Sequence, residues 1–541
     1  MMKYFVIMIS TFLMLSCNQQ RNKVDVLFIN GIVQTANSDM EVVEAFAVSD
    51  GKIVAYGSNE QLNMFDAKEV IDLENKYVYP GFYDAHCHFL GYGLDLKKIN
   101  LTGTQSYEEI LELLKQNSNK RTGGWIFGRG WDQNDWEVQE YPTNKEINEL
   151  FPDVPVYLLR IDGHAAIVND HLLNLAGLTA ESKIEGGELL LKDGRLTGVV
   201  IDNVLDSIIT LLPEYSVGEK TEALISAQKN CFEVGLTTVA DAGIDADDVE
   251  LIQELQQNEE LNMNIYAMIS YSEENAEYYR KKGKIQTDNL TVRSFKIYSD
   301  GALGSRGACL LKEYSDKKNH KGFLLNLPYK LEEAATVANE IDFQINTHAI
   351  GDSAARTMLD IYSKFLPEKN DKRWRIEHSQ VVNAKDFKKY KEYKIIPSVQ
   401  PTHATSDMYW AEERVGAERM KGAYAYQTLL QQNNIIANGS DFPVEDINPL
   451  YGFYAAVSRK DLKGYPQKGF QKEEALTREQ ALKAMTIWAA YSCFEDEYKG
   501  SLEQSKFADF VVLDVDLLNC KEEDIPSIKI NSTYVKGKKV Y

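Results

Sequence analysis

The stretch PGFYDAHCHFLGYG (residues 80–93) carries two histidines one residue apart, directly behind a proline, a glycine and an aspartate. Side chains on a strand alternate between its two faces, so His86 and His88 share one face while Cys87 points away. Two imidazoles that converge from one strand suit Zn²⁺ or a similar divalent ion. Taken alone, the pair is equally typical of a polar surface strand, so its meaning depends on the rest of the chain.

The middle of the chain alternates short apolar runs with segments of helical spacing, such as YKLEEAATVANEI (residues 329–341). Repeated strand-then-helix units predict parallel strands, and eight of them predict a closed (β/α)8 TIM-like barrel. The eight predicted strands are YVYPGFYDAH, LTTVADAG, MNIYAMIS, VRSFKIYSD, DFQINTHAI, RWRIEHSQ, KIIPSVQPT and NIIANGSDFP.

Both ends of the chain are β-rich and differ in style from the middle. We predict that residues 22–79 and 497–541 form one small β-sandwich and that residues 80–496 form the barrel. The interval between the first and second barrel strands is too long for a loop. We therefore predict an inserted subdomain over about residues 95–225.

The first residues, MMKYFVIMISTFLMLSC (1–17), have one lysine and then an apolar run too short to span a bilayer comfortably. This is the layout of a secretory signal. Cys17 directly after Leu15-Ser16 resembles the lipobox of bacterial lipoproteins. The resemblance implies that residues 1–16 are removed, that Cys17 is lipidated, and that the protein is membrane-attached in the bacterial cell envelope. A plain cleaved signal and an uncleaved anchor are the alternatives.

Composition argues against several classes of protein. Of the 541 residues, 44% are hydrophobic and 11% aromatic, which supplies a sizeable core and argues against disorder. The formal net charge of −22 argues against a nucleic-acid partner, which requires clustered Lys and Arg. Large size and scattered cysteines without a CxxC pair argue against a disulfide framework or a zinc ribbon.

The active site of a barrel of this kind lies at the C-terminal ends of its strands. Five of the eight histidines of the chain fall at predicted strand ends, which chance does not readily explain. The polar residues at these ends are His86, His88, Asp241, Lys296, Asp300, His348, His378, His403 and Asp441. This clustering favours a metal site over a surface patch.

Five ordered motifs resemble the signatures of the amidohydrolase superfamily. They are PGFYDAHCH, FKIYSDGALGSR, NTHAIGD, RIEHSQ and NGSDFPV, and a sixth stretch, GSLEQSKFADFVVLD, resembles the superfamily's return into its small sheet domain. Within the superfamily the chain resembles amidohydrolase family 3, the YtcJ-like and N-substituted formamide deformylase-like proteins. The likeness covers nearly all of the mature chain.

The resemblance implies a role for each strand-end residue. His86 and His88 correspond to ligands of the first metal, and His348 and His378 to ligands of the second. Asp441 corresponds to an aspartate that contacts metal and shuttles protons. The implied cofactor is one or two divalent ions, with Zn as the first choice.

Lys296 corresponds to a lysine that is carboxylated in many relatives and bridges two metals. The implied modification is a CO2-derived carbamate. An unmodified lysine is cationic and cannot bind a metal; it would instead pair with Asp300 or another carboxylate, and the site would then hold one metal.

Four further residues are predicted to contact substrate, each with a structural alternative. His164 and Asn169 lie in RIDGHAAIVN, which resembles a substrate-facing segment of the family, but a structural loop residue is as good a reading. Arg306 would hold a substrate anion or a neighbouring acid. His403, after the seventh strand, would contact substrate or serve the fold.

We therefore predict a metal-dependent hydrolase that cleaves a C–N bond, an amide or an N-acyl group of a small molecule, with a metal-activated water and Asp441 as acid and base. A lactone or a cyclic amide is an alternative substrate. An inactive surface-binding lipoprotein is an alternative of a different class, which the complete set of metal ligands disfavours. Assembly into a homo-oligomer stays open.

Overall fold

The computed structural model describes residues 22–541. The predicted signal over residues 1–16 and the predicted lipidation of Cys17 lie outside the described residues. Among residues 22–541, no helix combines the length and apolar character that crossing a bilayer requires.

Eight parallel strands form the central sheet, and each hydrogen-bonds to the next. They are β1 (Phe82–Cys87), β2 (Leu236–Ile244), β3 (Asn264–Ser270), β4 (Leu290–Tyr298), β5 (Gln344–Ala349), β6 (Arg375–His378), β7 (Ile396–Val399) and β8 (Ala437–Asn438). The segment after β8 returns to β1, where the Asp441 amide donates to the His86 carbonyl over 2.7 Å. The predicted TIM-like barrel is confirmed.

Helices follow the barrel strands and cover them from outside. Their apolar sides join one large core with the outward faces of the strands, as in Asp352–Tyr362, where Met358, Leu359 and Tyr362 are buried. The barrel helices are Phe89–Asp95, Val217–Glu233, Ala246–Gln257, Glu273–Lys282, Pro328–Glu340, Asp352–Tyr362, Phe387–Glu392, Pro401–Asp407, Ala411–Val415, Ala417–Met420, Tyr426–Asn433, Pro449–Ser458, Arg478–Ala484 and Ile487–Ser492. A short strand, Ile285–Gln286, pairs with the edge of β4.

A second sheet lies between β1 and β2 in sequence. In sheet order its strands are Ile99–Asn100, Ile126–Trp131, Val156–Arg160, Ala165–Val168, Arg195–Asp202 and Gly187–Lys192. The first three run parallel and the others antiparallel. Helices Tyr107–Gln116, Lys145–Leu150, Asp170–Leu175 and Val204–Ile209 accompany it. Buried side chains on its two faces form clusters separate from that of the barrel, so the insertion has its own core.

The two chain ends build a pair of facing sheets. One contains Asn22–Ile29, Ala45–Ser49, Lys52–Gly57 and Phe65–Asp72; the other contains Ile32–Gln34, Val42–Val43, Tyr77–Pro80, Phe510–Leu513, Ile530–Val535 and Lys538–Lys539. A short helix, Asn59–Leu62, links two strands of the first sheet. Phe28 and Phe46 stack at 4.8 Å and Phe510 and Tyr534 at 4.4 Å between ring centroids, so aromatic side chains from both chain ends form the core.

Candidate active site

Two groups of ligand atoms converge at the C-terminal ends of the strands. One group is His86, His88 and Asp441, and the other is His378, His403 and Asp441; within each group the atoms lie within 4.8 Å of one another. Asp441 Oδ1 is 3.4 Å from His86 Nε2 and 3.2 Å from His88 Nε2. Asp441 thus belongs to both groups, and the structure brings the ends of β1, β6, β7 and β8 to one point.

The histidine whose ligand atom converges with that of His378 is not the one that the resemblance implies. The resemblance couples His378 with His348, whereas the ligand atoms that converge with those of His378 belong to His403 and Asp441. The His348 ring is still close, 4.4 Å from the His378 ring between centroids. His403, predicted as a substrate contact, stacks on His378 at 5.9 Å. All three histidines therefore line the same side of the site.

Lys296 lies in the barrel beside the first group. Its ammonium is 3.3 Å from His86 Nε2 and 4.5 Å from the ring centroid of Tyr298, and the residue is 1% exposed. The alternative partner, Asp300, instead accepts the backbone N–H groups of Ile350 and Gly351 at 3.0 and 2.8 Å. The Lys296–Asp300 ion pair of the alternative interpretation is therefore absent from the described structure.

Two imidazole nitrogens of the site, Nδ1 of His378 and Nε2 of His403, are buried and have no hydrogen-bond partner within residues 22–541. Buried polar atoms without partners are costly, so such atoms indicate a missing ligand. Imidazole nitrogen and carboxylate oxygen are the ordinary ligands of zinc. The residues present therefore fit a divalent metal.

The protonation states suit ligands as well. Burial lowers the pKa of His348 and of His378 well below the usual value, so both rings are neutral at pH 7, the form that binds a metal. Burial raises the pKa of Asp441, but the imidazoles of His86 and His88, 3.4 and 3.2 Å away, lower it more, and the net pKa lies well below the usual range. Asp441 is therefore a carboxylate.

The side of His86 that faces away from the site contacts a buried ion pair. His86 Nδ1 is 2.5 Å from Glu377 Oε2, and Arg375 Nε and Nη2 donate to the two oxygens of Glu377 over 2.7 and 2.8 Å. Burial raises the pKa of Glu377, but Arg375 and His86 lower it more, so the group is an anion and His86 Nδ1 is the donor. Strand-end position does not identify these residues; the signal is the two-residue spacing of Arg and Glu on β6, within RIEHSQ.

The joint between β8 and β1 depends on close backbone approach. Asp84 accepts the amide of His86 at 3.0 Å and the hydroxyl of Ser440 at 2.6 Å, and burial raises its pKa to about 6. A Cβ on Gly439 would lie 2.5 Å from the nitrogen and 2.7 Å from the oxygen of His86. Only glycine therefore allows the contact that brings Asp441 to His86.

Asp241, at the end of β2, does not join the ligand atoms. Its carboxylate accepts the amides of Phe89 and Leu90 at 3.0 and 3.1 Å, the first residues of the helix after β1. Burial raises its pKa to about 7. The residue thus fixes the start of that helix, directly behind His88.

The insertion supplies one side chain to the site. His164 lies 5.0 Å from His348 between ring centroids, and its Nδ1 is 2.8 Å from Asp202 Oδ1 at the end of strand Arg195–Asp202. Asp202 fits against the barrel because Gly301 and Gly307 lack side chains; a Cβ on either would clash with its carboxylate. Local sequence patterns do not point to Asp202, because His164, the residue that its carboxylate contacts, is 38 residues away.

Two of the four predicted substrate residues take their structural alternatives. The amide of Asn169 donates to Phe151 O and Val154 O and accepts from the amides of Val156 and Leu172 at 2.8–3.2 Å. These bonds use its full hydrogen-bonding capacity, so none remains for a substrate, which corrects the predicted role.

Arg306 contacts an acid of the protein. Its Nη2 is 2.7 Å from Asp316 Oδ2, and Arg414 pairs with the same oxygen at 2.5 Å. The neighbouring-acid alternative is thus the one that the structure contains.

Comparison with known proteins identifies the family. Residues 69–541 match the sequence profile described as the amidohydrolase family. The chain is 33% identical over 537 residues to the protein LONG AFTER FAR-RED 3 of Arabidopsis thaliana, covering 96% of this chain and 91% of that protein. It is 24% identical over 541 residues to the N-substituted formamide deformylase of Arthrobacter pascens, covering 95% and 97%.

A solved structure agrees over the same span. The crystal structure of an uncharacterized metal-dependent hydrolase from Pyrococcus horikoshii superimposes with a TM-score of 0.75 and 30% identity, covering 92% of this chain and 99% of that one. The resemblance predicted from the motifs is confirmed, and the chain belongs to the amidohydrolase family.

Proposed function

We propose that this hydrolase cleaves the C–N bond of an amide or N-acyl group in a small molecule. The observation that carries the proposal is the shared carboxylate: Asp441 lies within ligand distance of one histidine group on β1 and of another on the β6 and β7 side. An amide-cleaving relative, the N-substituted formamide deformylase, matches almost the whole chain and supports this bond type.

The residues proposed to hold one or two divalent ions, Zn²⁺ by preference, are His86, His88, Lys296, His348, His378 and Asp441, with His403 at ligand distance beside them. When bound there, such an ion would lower the pKa of a water towards 7 and polarise the substrate carbonyl. We further propose that Lys296 carries a CO2-derived carbamate, because this buried amine has no carboxylate partner among the described residues and would become an oxygen ligand.

Asp441 and His164 have separate roles in the proposed reaction. Asp441 accepts a proton from the attacking water as the C–O bond forms and returns it to the leaving nitrogen as the C–N bond breaks. His164 contacts the reacting group from the insertion, because Asp202 occupies its Nδ1 and leaves Nε2 free for the substrate.

The test is a hydrolysis screen with N-formyl amines, N-acyl amino acids, cyclic amides and lactones, on protein loaded with Zn²⁺. We expect turnover of acyclic amides and a metal content of about one to two equivalents per chain. Turnover of lactones or cyclic amides alone would support those alternatives. A metal-loaded protein that binds amides without cleaving them would support the inactive binding lipoprotein.

Asp441→Asn is the matched variant for this screen. It keeps the shape of the side chain and one ligand oxygen, but it cannot carry the proton, so we expect metal to remain and turnover to fall by about 10²- to 10⁴-fold. Metal analysis checks that the ion remains bound, and steady-state kinetics on the same preparation measure the fall in turnover. Near-normal turnover would remove Asp441 from the proton-transfer role.

We also propose that Cys17 carries the lipid that attaches the enzyme to the cell envelope. Labelling cells with a fatty-acid analogue should mark the wild-type protein and leave Cys17→Ser unmarked. Equal labelling of the two proteins would place the anchor elsewhere.

A further inference from the structure

The predicted metal ligand His86 contacts a buried carboxylate on the side of its ring that faces away from the site. Its Nδ1 lies 2.5 Å from Glu377 Oε2, and both residues are fully buried. Nδ1 of His378 has no partner in the described chain, and His348 Nε2 lies 3.5 Å from the carbonyl of Gly301. Among the predicted metal-binding histidines, His86 is therefore the one whose ring is oriented by a carboxylate outside the ligand groups.

Glu377 is itself fixed by Arg375, two residues earlier on β6. Arg375 donates to both oxygens of Glu377, and its Nη2 also donates to the carbonyl of Ala85 over 2.6 Å and to the hydroxyl of Ser398 over 2.9 Å. The guanidinium thus joins β1, β6 and β7. Its planar fork suits this paired geometry, which a lysine ammonium cannot reproduce.

We infer that Glu377 and Arg375 are positioning residues for His86. Because the Glu377 carboxylate can only accept, it fixes a proton on Nδ1 of His86, and Nε2, which faces Asp441 and Lys296, is the nitrogen left to bind a metal. Partners of this kind raise the basicity of a ligand and lock its ring. The inference rests on the proposed metal site and is independent of the substrate.

A purely structural ion pair is the competing explanation, because Arg375 and Glu377 are buried in the barrel whether or not a metal binds. The chain offers a matched control for that explanation. Glu495 is also fully buried, accepts from Tyr83 Oη at 2.9 Å and Thr291 Oγ1 at 2.6 Å, and lies 3.4 Å from Lys499, but it contacts no predicted metal ligand.

The experiment measures Zn²⁺ affinity by chelator competition, without substrate, for the wild type, Glu377→Gln, Arg375→Lys and Glu495→Gln. Thermal melts of the metal-free proteins report stability separately. We expect Glu377→Gln and Arg375→Lys to weaken Zn²⁺ binding by about 10- to 100-fold. Glu495→Gln should lower the melting temperature and leave affinity unchanged. Loading with Co²⁺ should give an altered visible spectrum for Glu377→Gln and Arg375→Lys and an unchanged one for Glu495→Gln.

The outcomes separate the inference from the proposed function. If Glu377→Gln binds Zn²⁺ as the wild type does, with an unchanged Co²⁺ spectrum, the ion pair is structural and the inference fails alone. If Glu377→Gln does not fold, Arg375→Lys, which keeps the charge, decides by the same affinity measurement. A wild type that binds neither ion overturns the inference and the proposed metal site together.

Discussion

At the scale of single residues, the site combines side chains from the barrel with one from the insertion. His164 is the side chain that reaches from the inserted sheet to the predicted ligand His348. Replacing it, His164→Ala, should lower kcat/KM by about 10- to 100-fold, because one hydrogen bond to the reacting amide is lost. Metal content should not change, because His164 is in neither ligand group. Steady-state kinetics and metal analysis on the substrate found by the screen check both expectations.

His171→Ala is the control for this variant, since His171 lies on the partly exposed helix Asp170–Leu175 of the same insertion. It should behave as the wild type. A His164→Ala enzyme with unchanged kcat/KM would leave His164 with a packing role only.

At the scale of elements, the joint between β8 and β1 decides whether Asp441 reaches the histidines. Gly439→Ala would place a Cβ against the backbone of His86, which cannot move aside as a side chain can. We expect a loss of about 1–3 kcal/mol in unfolding free energy from overpacking, together with weaker metal binding. Gly218→Ala, in helix Val217–Glu233, meets no atom within 4 Å and should not destabilise the protein. Equal melting temperatures for the two variants would contradict this account of the joint.

The arrangement of the strands also explains how much of the site can be predicted from the sequence alone. Strand alternation and strand ends predict His86, His88, His378 and Asp441 as neighbours, because parallel strands bring their C-terminal ends to one edge. The roles of Glu377 and Asp202 depend on partners 291 and 38 residues away, which no local pattern contains. Asn169 is misleading because its motif resembles a substrate-facing segment of the family, whereas its side chain bonds to the backbone of its own subdomain.

At the scale of the whole molecule, the proposed ligands come from strands distant in sequence. A metal that joins the ends of β1, β6 and β8 would bind the folded chain and not the unfolded one, so it should stabilise by mass action. Removing it with a chelator should lower the melting temperature, and adding Zn²⁺ at 1,000 times its Kd should restore about 4 kcal/mol. Melts over a range of Zn²⁺ concentrations measure this. A melting temperature independent of Zn²⁺ would show that the ion does not bind the native state.

The separate core of the insertion has a consequence for how such an enzyme changes over time. The inserted sheet is held together by its own apolar clusters, while the proposed metal ligands belong to the barrel. Amino-acid changes on the inserted sheet can therefore alter which substrate binds, while the proposed metal site in the barrel stays unchanged. Libraries randomised only in the insertion, with His164, Asp202 and their glycine neighbours kept, are the natural starting point for directing this enzyme to new substrates.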